Sequence, residues 1–325
     1  MPRILSFLCA LALAAIAGPL PASAQDFPNK PIRIVVPFAP GAGNDLLGRL
    51  FAEHLTPRLK QPVFVENKPG AGSQIGIDLV AKSPPDGYNL VWAASDGISI
   101  LPAVKPQMPY KVPDDFTFVS RIVVLPFALV VKNDLPVKSV AELIAYAKAN
   151  PGKLRYGTSG VGGAPHMGTI MMESRAGIKM THVPYRGVAP AVNDLLGGHI
   201  DVAFVTPPTI RANAEAGKVR VIATTGNERH SLFPNLPTLK EAGIPNLSVI
   251  VWYGILAPAK TPEPVLARLR KEIQAVIDDP PVNERLKSLG YQIAPMTGDA
   301  FQKYVLQDLA DWKAVAKSEN IVVEE

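Results

Sequence analysis

In "VVPFAPGAGNDLLG", residues 35–48, glycines 41 and 43 stand between an apolar run and a helix-like one. A strand, a glycine turn and a helix in that order make a cradle for an anion, because the N–H groups that open a helix lack internal partners and point outward. Three anions suit such a cradle: a pyrophosphate, a phosphoryl group or a carboxylate. "GAGNDLLG" reads G-x-G-x-x-x-x-G and "GAGSQIG" (70–76) reads G-x-G-x-x-x-G, so neither is the dinucleotide fingerprint. A Walker-type phosphate loop does not occur either. A carboxylate fits the same geometry at lower charge. Gly41 and Gly43 let the backbone come close, Ala42 is small, and Asn44 or Asp45 can cap the helix. Asp45 is expected to cap amides or to bond the opposite loop, since direct contact with an anion is repulsive.

Covalent catalysis finds little to work with. "GTSGV" around Ser159 lacks the final glycine of a G-x-S-x-G elbow. His166, seven residues on, is a formal base for Ser159, but no acid is placed to orient it. The chain has one cysteine, Cys9, and its five histidines (54, 166, 182, 199 and 230) show no metal-ligand spacing. Neither an enzyme, a resident metal nor a cofactor is expected.

Cys9 itself lies in a leader. "MPRILSFLCALALAAIAGPLPASAQDF" carries Arg3, the apolar run Ile4–Ala17, and Ala22-Ser23-Ala24 before Gln25. That is the layout of a secretory signal cleaved after Ala24, and the run is shorter than the ~20 residues a membrane span needs. The mature chain is then expected in the periplasm without thiols, its net charge lowered from +5 to +4 by the loss of Arg3. The densest basic cluster, "RLRK" at 268–271, sits inside an amphipathic helix pattern with no interleaved aromatics, so nucleic acid is not an expected partner.

The turns need elements to hold them. Strand-like runs at 31–38, 62–67 and 89–95 alternate with helix-like "NDLLGRLFAEHLTPRL" and a helical run ending at Lys82. A second alternation follows. Its strands are 127–132, 154–159, 180–185, 200–206 and 219–226, with a helix capped by Ser139 and another from about His166. Short turns between such elements predict largely parallel sheets with helices on their faces. The chain beyond 257 reads as chiefly helical, with core-facing stripes such as Leu266, Leu269, Ile273, Val276 and Phe301, Val305, Leu309, Trp312. Apolar segments 119–131 and 247–257 flank the second set. If both cross between lobes, lobe one is 26–125 with 250–325 and lobe two is 126–249. Two lobes joined by two strands leave a cleft that closes by hinge motion.

Four stretches together carry a resemblance. "FPNKPIRIVVPFAPGAGNDLLGRLFAEHL", "QPVFVENKPGAGSQIGIDLVAKSPPDGYNL", "HVPYRGVAPAVNDLLGGHIDVAF" and "GILAPAKTPEPVL" resemble the Bug family. Its members are substrate-binding proteins associated with tripartite tricarboxylate transporters. The resemblance runs from about Phe27 to the C-terminus. It implies an α/β, two-lobed periplasmic-binding-protein type II fold with a carboxylated ligand in the cleft between the lobes. It also implies uptake through membrane transporter subunits, with docking on a sensor kinase as the alternative, and a monomer.

Residue by residue, the resemblance places Phe38, Ala42 and Gly43 of the lobe-one loop nearest the ligand. The family usually has two adjacent glycines where this chain reads Gly41-Ala42-Gly43. The second lobe-one contact is Ser95-Asp96-Gly97. Relatives more often carry small neutral residues at Asp96, which either binds an amine or hydroxyl of the ligand or caps a turn or helix. Lobe two offers the hydroxyls of Thr158 and Ser159, the amides of Gly160–Gly163, and His166. Tyr185 lines the cleft, and Arg186 pairs either with a carboxylate or with an acid across the lobes. Thr206 stands where many relatives have an acid or amide, which favours di- or tricarboxylates or aromatic carboxylates over amino acids.

Overall fold

The computed structural model describes residues 27–318 and 321, apart from Ala42, Asn246 and Ser248. The expected signal, 1–24, lies outside the described residues, and so does Ala42 of the lobe-one loop. Among the described residues no helix is long and apolar enough to cross a membrane.

The chain opens with β1 (Ile32–Val36), α1 (Gly43–Leu59), β2 (Val63–Asn67), α2 (Gln74–Ala81) and β3 (Asn89–Ala94). β1 pairs in parallel with both β2 and β3. Ile32, Ile34, Val35 and Val36 are all buried, the near-continuous apolar run of a strand covered on both faces. α1 buries Leu47, Phe51, Leu55 and Leu59 at four-residue spacing, and Phe51 lies 5.3 Å from the Trp92 ring. Gly48 is the point of closest approach, where a Cβ would stand 2.9 Å from Val36 Cγ2. A π-helical turn, Asp96–Ile100, runs from β3 into α3 (Leu101–Val104).

β4 (Phe116–Pro126) and β5 (Ala128–Lys132) follow with Phe127 alone between them. β5 starts a second sheet that continues through α4 (Val140–Ala149), β6 (Arg155–Thr158), α5 (Ala164–Ala176), β7 (Thr181–Pro184), α6 (Val188–Leu196), β8 (Val202–Val205), α7 (Pro207–Glu215) and β9 (Val219–Thr224). As expected, Ser139 caps α4, accepting from Glu142 N at 3.2 Å. The chain then returns to the first sheet through β10 (Ile250–Pro258), α8 (Glu263–Ile277), α9 (Pro280–Ser288), β11 (Gln292–Thr297) and α10 (Gly298–Ser318). The strand orders are β11-β4-β10-β3-β1-β2 and β7-β6-β8-β5-β9.

Two expectations need correction. The sheets are mixed rather than largely parallel: β10 runs antiparallel to β3 and β4, β11 antiparallel to β4, and β5 antiparallel to β8 and β9. Parallel pairing holds among β1, β2 and β3 and among β6, β7 and β8, and the strands by which the chain enters the second sheet (β5) and returns to the first (β10) run the other way. The C-terminal part, expected to be chiefly helical, also contains a strand, β11, that was not foreseen. Its burial is weak, and its pairing with β4 shifts register between Ile293 and Met296, so its sequence lacks a clean alternation.

The two crossings are tied together. Phe127 N donates to the Thr225 hydroxyl at 2.8 Å, Thr225 N donates to Phe127 O at 2.8 Å, and the same hydroxyl donates to Val249 O. Thr225 is fully buried.

Candidate ligand-binding site

The expected site residues that are described lie at or beyond the C-terminal ends of parallel strands, the edge where open α/β sheets place their ligands. Phe38 and Gly43 follow β1, Ser95 and Asp96 follow β3, Thr158, Ser159, Gly160 and His166 surround the end of β6, Tyr185 and Arg186 follow β7, and Thr206 follows β8.

After β1, polar side chains fix the loop from outside. Asn67, the last residue of β2, donates through Nδ2 to Phe38 O (3.1 Å) and to Asp45 Oδ1 (2.8 Å). Asp45 Oδ2 accepts from Gly41 N (2.9 Å) and from Arg49 Nε (3.0 Å). Burial alone would raise the Asp45 carboxyl, but the bonds from Arg49, Gly41 and Asn67 outweigh it and hold it below its ordinary value. The expected amide-capping role of Asp45 is thus what the geometry shows. Two tyrosines that sequence reasoning missed complete this side. A Cβ on Gly43 would meet the Tyr291 hydroxyl at 3.0 Å, and Tyr291 packs edge-on against Tyr253 with centroids 6.1 Å apart.

At the end of β3, Ser95 is fully buried, and its Oγ has no hydrogen-bond partner among the described residues. Asp96 reaches across to the other sheet. Its Oδ1 accepts from Ala164 N, the first residue of α5, at 2.7 Å. Gly163 makes this approach possible, because a Cβ there would sit 2.8 Å from the same oxygen. Desolvation pushes the Asp96 carboxyl up, the Ala164 bond opposes this, and the nearby Asp308 adds to the rise.

The second sheet contributes a stack of rings. The Thr158 hydroxyl donates to Gly160 O (2.7 Å), so its contact with His182 Nε2 (2.7 Å) makes that nitrogen the donor. Gly162 N donates to His166 Nδ1 at 3.0 Å, which leaves that nitrogen unprotonated. His166 stacks on His182 with centroids 4.1 Å apart, and His182 stacks on Tyr156 at 4.8 Å. Burial pushes both histidines down to about 4, so the stack is uncharged at neutral pH. His182 and Tyr156 were not expected at the site. The period-two alternation of β6 and β7 put them on one face, but nothing local marked that face as lining the loop.

The remaining candidates are placed less centrally. The Tyr185 hydroxyl donates to Asp194 Oδ2 at 2.6 Å and is committed to the neighbouring helix α6. The Thr206 hydroxyl meets Thr209 Oγ1 at 2.8 Å at the start of α7. Ser159 and Arg186 are exposed. With His166 Nδ1 engaged by Gly162, the formal Ser159–His166 pair is not assembled for acyl transfer. What the geometry does show is Asp96, after β3, bonded across to the opening of α5.

A family model described as the tripartite tricarboxylate transporter family receptor matches residues 47–321. The chain belongs to that receptor family. Protein BugT of Bordetella pertussis is 32% identical over 323 residues, covering 98% of this chain and 97% of its own. The solved structure of R. palustris Rpa4515 with adipate is 32% identical, with TM-score 0.87 over 91% of this chain and 99% of that one. MatC from Rhodopseudomonas palustris, with bound malate, is 28% identical, with TM-score 0.83 over 89% of this chain and 99% of that one. The fold is therefore that of a two-lobed periplasmic binding protein, and the receptor family comprises solute-binding proteins, not enzymes.

Proposed function

We propose that this receptor-family chain is exported by its leader and captures a small carboxylated solute between two lobes, 26–125 with 250–325 and 126–249. Closure about the two crossings then presents the loaded form to membrane subunits for uptake. The observation that supports the reading is the 2.7 Å bond by which Asp96, in the loop after β3, meets Ala164 at the opening of α5 in the other sheet. The family match and the adipate and malate of two neighbours support the ligand class. The exposed guanidinium of Arg186 would supply a bidentate clamp for a carboxylate once the lobes close.

The test is a thermal-shift and calorimetry screen of residues 25–325 against mono-, di-, tri- and aromatic carboxylates, repeated after unfolding and refolding to remove any carried ligand. A solute at 100 times its dissociation constant stabilises the native state by about 2.7 kcal/mol, which raises Tm by several degrees. A selective shift supports the receptor reading. A flat response from refolded protein across the screen overturns it.

A further inference from the structure

A buried tyrosine ordinarily commits its hydroxyl within the chain. Tyr110 donates to Gly97 O at 2.6 Å, and Tyr185 to Asp194 Oδ2. Tyr291 and Tyr253 differ. Each is only 5% exposed, yet neither hydroxyl has a hydrogen-bond partner among the described residues. Neither oxygen is sealed from solvent, as the unpartnered oxygens of Ser73 and Ser95 are. A hydroxyl that is uncommitted, and open at the tip of a buried ring, is free to bond a group from outside the chain.

Gly43 shows where the Tyr291 hydroxyl is aimed. A Cβ there would stand 3.0 Å from that oxygen, so it is the missing side chain of the first residue of α1 that leaves the space open. The backbone of Gly43 is not left-handed, so glycine serves close approach here and not an unusual conformation. α1 is 17 residues long, and the N–H groups of its first turn have no partner inside the helix. Asp45 turns its carboxylate to Gly41 N and Arg49. Tyr253 packs edge-on against Tyr291 with centroids 6.1 Å apart, and it stands opposite Ala94, one residue before Ser95. Burial pushes both phenols up, Asp96 adds to the rise at Tyr253, and no lysine or arginine pulls either one down. Both therefore keep their protons at neutral pH.

We propose that Tyr291 is a carboxylate-binding residue: the solute seats one carboxylate between the opening of α1 and the Tyr291 hydroxyl, which donates to it, while Tyr253 holds the ring in place. This rests on the receptor reading and deepens it by naming the group that receives the anion on the α1 side. A carboxylate suits this seat better than its rivals. An ammonium would face the positive end of the helix, and a phosphate dianion would call for a lysine or arginine that neither phenol has beside it.

The experiment is calorimetric titration of refolded 25–325, Tyr291→Phe and Gly43→Ala with succinate, adipate, malate and benzoate, and with whichever carboxylate raises Tm most in the wider screen. Thermal unfolding of the three proteins without solute runs beside it. Tyr291→Phe removes one oxygen and no bond within the chain, so its Tm is expected to stay at the wild-type value. Its affinity for the carboxylates that the wild type binds is expected to fall by about tenfold or more, the size of a hydrogen bond to a charged acceptor. Gly43→Ala places a methyl in the seat itself and is expected to weaken binding as much. Wild-type affinity in either variant, or a lowered Tm in Tyr291→Phe, overturns the proposal and leaves the receptor reading standing. Silence of the wild type toward these solutes and the wider screen overturns both.

Discussion

The two stacked histidines give the site a dependence on pH whose sign follows from their burial. Both titrate near 4 instead of the ordinary 6.5, so the native chain holds fewer protons than the unfolded chain between those values. Stability is therefore full above about pH 6.5, falls as the pH drops toward 4, and stops falling on this account below it. Tm measured across that range should show the decline, and His182→Gln, which keeps a donor for Thr158, should flatten it. An undiminished slope in the variant would assign the decline to other groups. A second residue-scale expectation concerns Asn67. Its amide serves both Phe38 O and the buried Asp45, so Asn67→Ala should cost roughly 1–3 kcal/mol in urea unfolding. It should also weaken solute binding, because the loop after β1 loses its outer brace.

At the scale of elements, what could be read in the sequence and what could not divide along physical lines. The strand–turn–helix units after β1 and β6 were legible because glycine, proline and β-branched runs act locally. Ser139 was readable as a cap for the same reason. The direction of β10 and of β5 was not, since antiparallel and parallel buried strands have the same apolar composition. β11 was missed because none of its residues is buried, so its sequence carries no periodic signal. Tyr291 joins the α1 loop from nearly 250 residues away, and Asp96 finds Ala164 across 68. No local pattern announces either meeting. The α5 cap supplies its own element-scale prediction. Gly163→Ala would put a methyl 2.8 Å from Asp96 Oδ1, so the carboxylate must withdraw from Ala164. Small-angle scattering should then report a larger radius of gyration for the variant, and an unchanged radius would show that the loop absorbs the methyl without separating the sheets.

For the molecule as a whole, one buried side chain ties the two crossings to each other. Thr225 accepts from Phe127 on one crossing and donates to Val249 on the other. Thr225→Val keeps the shape but strands a buried N–H and a buried carbonyl, at a cost of about 1–3 kcal/mol each by the usual penalty for such groups. Thr225→Ser should restore most of the loss. Equal unfolding midpoints for the valine and serine variants would show that the hydroxyl is not what matters there.

That clasp also limits how the protein can move. Two separate straps between two bodies would each flex alone, permitting shear, twist and gape in any mixture. If the lobes close as proposed, straps pinned to one hydroxyl are expected to turn as a pair near Thr225 and not each alone. Closure of that kind would offer a docking membrane subunit one shape to recognise.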